Sequence, residues 1–146
     1  MSEPKSLPIS IRQASEHDAP LIFNSWLKSF RENGIARAVE SSVYYSEQHK
    51  LIEKLLKRSK TFIAHEVGVP ENIYGWACFE RVEGILVIHY IYVKHSFRGL
   101  GIARELMKET EHDFANASLF THWTNTAARI GLRKNCLYHP YILMNY

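Results

Sequence analysis

The sequence is short of several things, and each shortage removes a class of protein. No run approaches the roughly 20 apolar residues that a membrane-spanning helix needs, and residues 1–8 lack the apolar core of a secretory signal. The expected setting is therefore cytoplasmic, with no membrane. Only two cysteines occur, Cys78 and Cys136, and they form neither a C-x-x-C pair nor a disulfide framework. None of the eight histidines stands in an H-E-x-x-H or similar array, so no metal is expected. The glycine turn at 99–101 lacks the Gly-Lys-Ser/Thr ending of a nucleoside triphosphate loop. Arg104 breaks the G-x-G-x-x-G dinucleotide fingerprint, and no internal repeat is visible.

What is present describes an ordinary globular chain. Its 146 residues, 46% of them hydrophobic, suffice for one domain with a real core. Residues 1–8, with prolines at 4 and 8, read as a flexible lead-in, and 9–146 as the domain. The net charge of +3 favours acidic partners, whether a phosphate-rich cofactor or nucleic acid.

Residues 9–13 alternate apolar and polar side chains, as a half-buried strand does. Ser15 and Asp18 are N-cap candidates, and Leu21, Ile22, Ser25, Trp26, Ser29 and Phe30 mark one helical face. Residues 31–46 read as a loop with a turn at Asn33-Gly34, and 47–60 as a helix with the stripe Leu51, Ile52, Leu55, Leu56. Its other face carries Lys50, Lys54, Lys57, Arg58 and nearby Lys60, an ordinary solvated face or a nucleic-acid patch. Strands follow at 61–66, 73–81 and 85–93, with a turn over 68–72 and a hairpin turn at 82–84. Next come a helix after the glycine turn to about 117, a strand at 119–124, a helix at 125–134 and an extended segment at 137–146 broken by Pro140. The order β-α-α-β-β-β-α-β-α-β, with a central hairpin, is α/β (α+β) and excludes an all-parallel doubly wound sheet.

The centre of the sequence is the passage from strand 85–93 into Arg98-Gly99-Leu100-Gly101-Ile102-Ala103-Arg104. Strand, glycine turn and helix in that order point backbone N–H groups and the positive helix end at one place, a seat for phosphate. With Arg98, Gly101 and Ala103 in the pattern Arg-x-x-Gly-x-Ala, the passage resembles the pyrophosphate loop of the GNAT-type N-acetyltransferase superfamily. The phrase Ile11-Arg12-Gln13-Ala14 with the later Asp18 resembles the usual opening of such chains. Asn125, Ala128 and Lys134 match a third pattern, N-x-x-A-x-x-x-Y-x-K-x-G-F. The chain departs from that pattern at Leu132 for tyrosine and at Cys136 for glycine, and His95 stands where a proline is usual.

The resemblance implies a single-domain GNAT-like fold over 9–146: a mixed, mostly antiparallel sheet flanked by about four helices, with a shortened C-terminal hairpin. It implies an acyl-CoA cofactor, most simply acetyl-CoA, and direct attack of a small-molecule or peptide amine on the thioester. The pantetheine arm would pair with the backbone of Ile91 and Val93. Pyrophosphate would rest on Phe97, Arg98, Gly99, Leu100, Gly101, Ile102 and Ala103 with help from Arg104, and Asn125 would also contact the cofactor. Tyr44 and Tyr45, in the segment that walls the acceptor site in the family, are candidate substrate contacts, or simply pack against the domain. His89 is the candidate base, or a hydrogen-bonded core residue, and Glu80 is the second candidate. Leucine has no proton to give, so Tyr138, Tyr141 or water would protonate the thiolate in place of the family tyrosine. Cys136 with His122 or His139 fits no nucleophile spacing and reads as a small buried thiol. Two alternatives stay open: a catalytically weak acyl-CoA-binding or interaction module, and a nucleic-acid-directed modifier or binder. Homodimerisation is left open too.

Overall fold

The computed structural model describes residues 7–32, 34–133 and 135–146. Six strands, β1 (Ile9–Gln13), β2 (Lys60–Glu66), β3 (Val69–Val82), β4 (Ile85–Val93), β5 (Ser118–Phe120) and β6 (Cys136–Tyr138), form one sheet in sequence order. β1 to β4 are antiparallel, whereas β5 and β6 each run parallel to the strand before them. The helices are α1 (Ala19–Arg31), α2 (Ser41–Arg58), α3 (Ile102–Lys108) and α4 (Asn125–Arg133). The element order is the one the sequence predicts, and the sheet is mixed.

Alternation along the strands divides the apolar residues between two faces. Trp76, Cys78 and Tyr90 meet Ile22 and Trp26 of α1 and Ile52 and Leu55 of α2. Ala77, Phe79, Ile88, Ile91 and Phe120 meet Ile102 and Leu106 of α3. The β3–β4 turn places both Glu83 (φ 52°) and Gly84 (φ 79°) in the left-handed region, as a tight two-residue hairpin requires.

Boundaries differ from the sequence reading where the deciding signal is unusual. α2 begins at Ser41, inside the expected loop, because the Glu40 carboxylate accepts from the N–H groups of Ser42 and Val43. Glutamate is an uncommon N-cap, so the start signal is weak. Tyr44 and Tyr45 therefore lie on a helix, and Asn33 of the expected turn is outside the described residues. β3 starts at Val69, since only Gly68 (φ 78°) is needed to turn the chain from β2. α3 stops at Lys108 rather than about 117: the Thr110 hydroxyl donates to Met107 O (2.7 Å), and Glu111 turns left-handed (φ 53°). The C-terminal hairpin is replaced by β6, parallel to β5 and followed by a 3-10 turn at Pro140–Asn145.

Candidate active site

The site is built where the sheet splits. β4 pairs with β5 only at Val87 and Ile88, and Thr121 N–H donates to Ile88 O at the end of that pairing. From Tyr90 to Val93 the strand stays bound to β3 on one edge, while among the described residues no ladder covers the other. Cys78 pairs with Tyr90 and Phe79 with Ile88, so His89 is the extra residue of a β-bulge. The bulge turns His89 and Tyr90 to the same face, that of α1 and α2.

On this face runs a chain of buried polar groups. His89 Nε2 lies 2.6 Å from Glu80 Oε2, and Glu80 also accepts from Arg58 Nε (3.0 Å), Ser59 Oγ (3.3 Å) and Tyr146 OH (3.2 Å). Nδ1 of His89 lies 3.1 Å from Thr121 Oγ1, which is 2.8 Å from His122 Nδ1; Nε2 of His122 is 3.0 Å from Gln48 Nε2. Burial pushes the Glu80 carboxyl up, but the hydrogen bonds and charges of His89 and Arg58 outweigh it and the pKa is lowered. Burial lowers His89 against the pull of Glu80, and burial with His89 nearby pushes His122 down to about 3. Both imidazoles are thus neutral over an ionised Glu80, which fixes every proton. Gln48 donates to His122, His122 to Thr121, Thr121 to His89 and His89 to Glu80. All the donors point one way.

On the other face, α3 and α4 enclose a groove of about 670 Å³ at the mouth of the split. Val93, Phe97, Arg98, Gly99, Gly101, Ile102, Ala103 and Arg104, all candidates for the cofactor, line it together with Met107, Lys108, His112, Phe114, Thr126, Arg129 and Ile130. Four cations line it, Arg98, Arg104, Lys108 and Arg129, of which Lys108 is paired with Glu105 (2.9 Å), and no carboxylate is among the described lining residues. Gly101 (φ 82°) precedes α3, and a Cβ there would meet no atom within 4 Å. It is backbone conformation, not space, that requires glycine. Arg98 Nε donates to Val93 O at 3.2 Å.

The model of the acetyltransferase (GNAT) family matches residues 22–131. The chain belongs to that family. The GCN5-related N-acetyltransferase of Ralstonia eutropha is similar at a TM-score of 0.64 and 20% identity, over 86% of this chain and 90% of that one. The structure described as histone acetyltransferase HPA2 and related acetyltransferase, from Corynebacterium glutamicum, gives 0.58 and 15%, over 87% and 83%. A GNAT-family protein from Desulfovibrio desulfuricans gives 0.48 and 20%, over 72% of this chain and 65% of that one. The first two likenesses speak for the fold alone. No curated protein sequence matches the chain.

Measured against this GNAT frame, the sequence candidates separate. Glu80 and His89 meet, but both are buried and both His89 nitrogens are engaged. Tyr44 is buried with its hydroxyl donating to Leu27 O (2.5 Å), so it packs rather than waits for substrate; Tyr45 is half exposed. Ile91 is buried in the core, Leu100 points to solvent, and Asn125 opens α4 without lining the groove. Tyr138, partly exposed, touches the rings of Phe120 and Trp123 and shares the α3 face of Phe120, opposite the His89 chain. Tyr146 is committed to Glu80 and to the face of Arg58, 3.7 Å away. Burial raises both thiols, Cys78 to about 12, which removes them as nucleophiles. Lys134 of the third pattern lies outside the described residues. Gln48, Thr121 and His122 are the members that sequence reasoning missed, and only the strand-end position of Thr121 could have hinted at them.

Proposed function

We propose that the chain is an acyl-CoA-dependent N-acyltransferase that moves an acetyl group from acetyl-CoA to an amine by direct attack. The observation that carries this is the cation-only groove opening onto the uncovered edge of β4. Phosphates suit its four cations and the N–H groups around Gly99 to Ala103, and an extended amide arm suits the free edge at Ile91 and Val93. Bound acetyl-CoA supplies the activated thioester. Arg98, which donates to Val93 O in this structure, would hold the phosphates, and the backbone of Ile91 and Val93 would hold the arm.

The acceptor comes from the α1–α2 face, and its proton enters the buried chain at His122 Nε2 once the half-buried Gln48 swings aside. Each link then passes on the proton it already holds, so the proton ends on Glu80 and neutralises its carboxylate without any group crossing the site. His89 and Glu80 act as the sink of this relay rather than as a base touching the amine. Tyr138, on the cofactor face, donates to the leaving sulfur in place of the tyrosine that Leu132 replaces.

The test is amine-dependent release of free thiol from acetyl-CoA, with Glu80→Gln as control. Glutamine still accepts the His89 N–H but cannot take its proton, so turnover should fall about 100-fold, while acetyl-CoA should still raise the variant's unfolding midpoint. Binding of acetyl-CoA with no release for any amine would replace the transferase by the binding module. The nucleic-acid reading loses ground because Arg58, one of the cations of α2, turns inward onto Glu80.

A further inference from the structure

A second pocket, of about 470 Å³, lies at the corner where the end of α1 meets the start of α2. Lys28, Arg31, Arg37, Glu32 and Tyr45 line it. Three cations face one carboxylate, and among the described residues no ion pair joins Glu32 to any of them. Arg31 is held in place. Its guanidinium lies over the rings of Tyr44 (4.9 Å) and Tyr45 (5.6 Å), and Nη2 donates to Val39 O (3.2 Å). Its Nη1 is buried and has no partner among the described residues. A buried, charged donor left unpaired is costly, and a guanidinium fixed by two rings and a carbonyl is prepared for one geometry of anion.

The place of the pocket says what the anion belongs to. Phe30, next to Arg31, packs edge-on against Tyr90 (6.3 Å) and His122 (4.8 Å). Tyr45, which lines the pocket, and Gln48, at the open end of the chain, are three residues apart on α2 and share a helix face. The pocket therefore lies on the α1–α2 side of the sheet, opposite the cofactor groove. We propose that the acceptor amine carries an anionic group, and that Arg31, with Lys28 and Arg37, binds it while the amine reaches the split between β4 and β5. This rests on the transferase reading above and adds the substrate class.

The test compares three amines of equal chain length: a plain alkylamine, an ω-amino carboxylate and an aminoalkyl phosphate. The native protein should acetylate one of the anionic compounds at least tenfold more efficiently, in kcat/KM, than the plain amine, and the better of the two identifies the anion. Lys28→Ala with Arg37→Ala, both at exposed positions, should bring that ratio down at least fivefold. Equal efficiency for all three, or a preference that survives the double variant, overturns the inference and leaves the transferase standing. Should no amine turn over, binding still decides. The Arg31 Nε–H resonance should shift with the anionic compounds and not with the alkylamine, and a resonance that stays still with all three refutes the pocket.

Discussion

Glu80 is surrounded by four donors and His89 by two partners, and this crowding decides what each can do. A histidine kept neutral by burial binds fewer protons folded than unfolded between its two pKa values, so folding stability falls as pH drops through that range. For His122, unfolded near 6.5 and folded at about 3, the loss between pH 7 and pH 5 is about 2 kcal/mol. His89, also lowered, adds to it in the same direction. Urea unfolding at pH 5 and pH 7 should show this slope in the native protein and a clearly smaller one in His122→Gln. Equal slopes would mean that His122 is not buried neutral. The acidic groups do not blur this window, because the lowered pKa values of Asp18 and Glu80 place their losses below about pH 4.5. The residues themselves were unevenly legible. His89 and Glu80 stood out because a polar group in an apolar strand needs a partner. Gln48, Thr121 and His122 come together across 74 and 32 residues of sequence, which local spacing cannot show.

Among the elements, the strand-turn-helix unit was the most legible because its signals are local: an apolar run, two glycines and a returning helical stripe. Asp18 stands at the start of α1 as expected but caps none of its N–H groups. Its carboxylate accepts from Ser15 N–H (2.8 Å) and pairs bidentately with Arg12 (2.7 and 2.8 Å), which ties β1 to the start of α1 and gives the physical reason for the opening phrase. Helix ends were misread where an uncommon signal decides, the Glu40 N-cap of α2 and the left-handed Glu111 just past α3. Two glycines make separable predictions. Gly101→Ala must hold a left-handed φ of 82° in open space, at roughly 1–2 kcal/mol. Gly75→Ala would put its Cβ 2.3 Å from Tyr92 O, a backbone atom that cannot give way cheaply, and should cost about 3 kcal/mol or more. Because Gly75 pairs with Val93, this variant should also weaken acetyl-CoA binding. Guanidinium unfolding checks both. A milder loss for Gly75→Ala than for Gly101→Ala would contradict the close approach of β3 and β4.

At the scale of the molecule, the split sheet divides two polar environments. A cation-lined groove lies on the α3–α4 side, a buried hydrogen-bonded chain ending in ionised Glu80 on the α1–α2 side, and the uncovered edge of β4 between them. The order of elements was readable from periodicity, whereas this division was not, because it depends on where β4 and β5 part. The parallel β6 was not, since three residues ending before Pro140 carry too little pattern to reveal direction. The central claim is that the groove takes acyl-CoA, and thermal unfolding with saturating acetyl-CoA, CoA and ATP in turn tests it most directly. A ligand bound only by the folded state, at a hundredfold excess over its Kd, adds about 2.7 kcal/mol, which for a chain of this size is roughly 5–10 °C. Acetyl-CoA and CoA should raise the midpoint by that order, ATP much less, and Arg98→Ala should reduce the rise. An unmoved midpoint at millimolar acetyl-CoA would contradict the account.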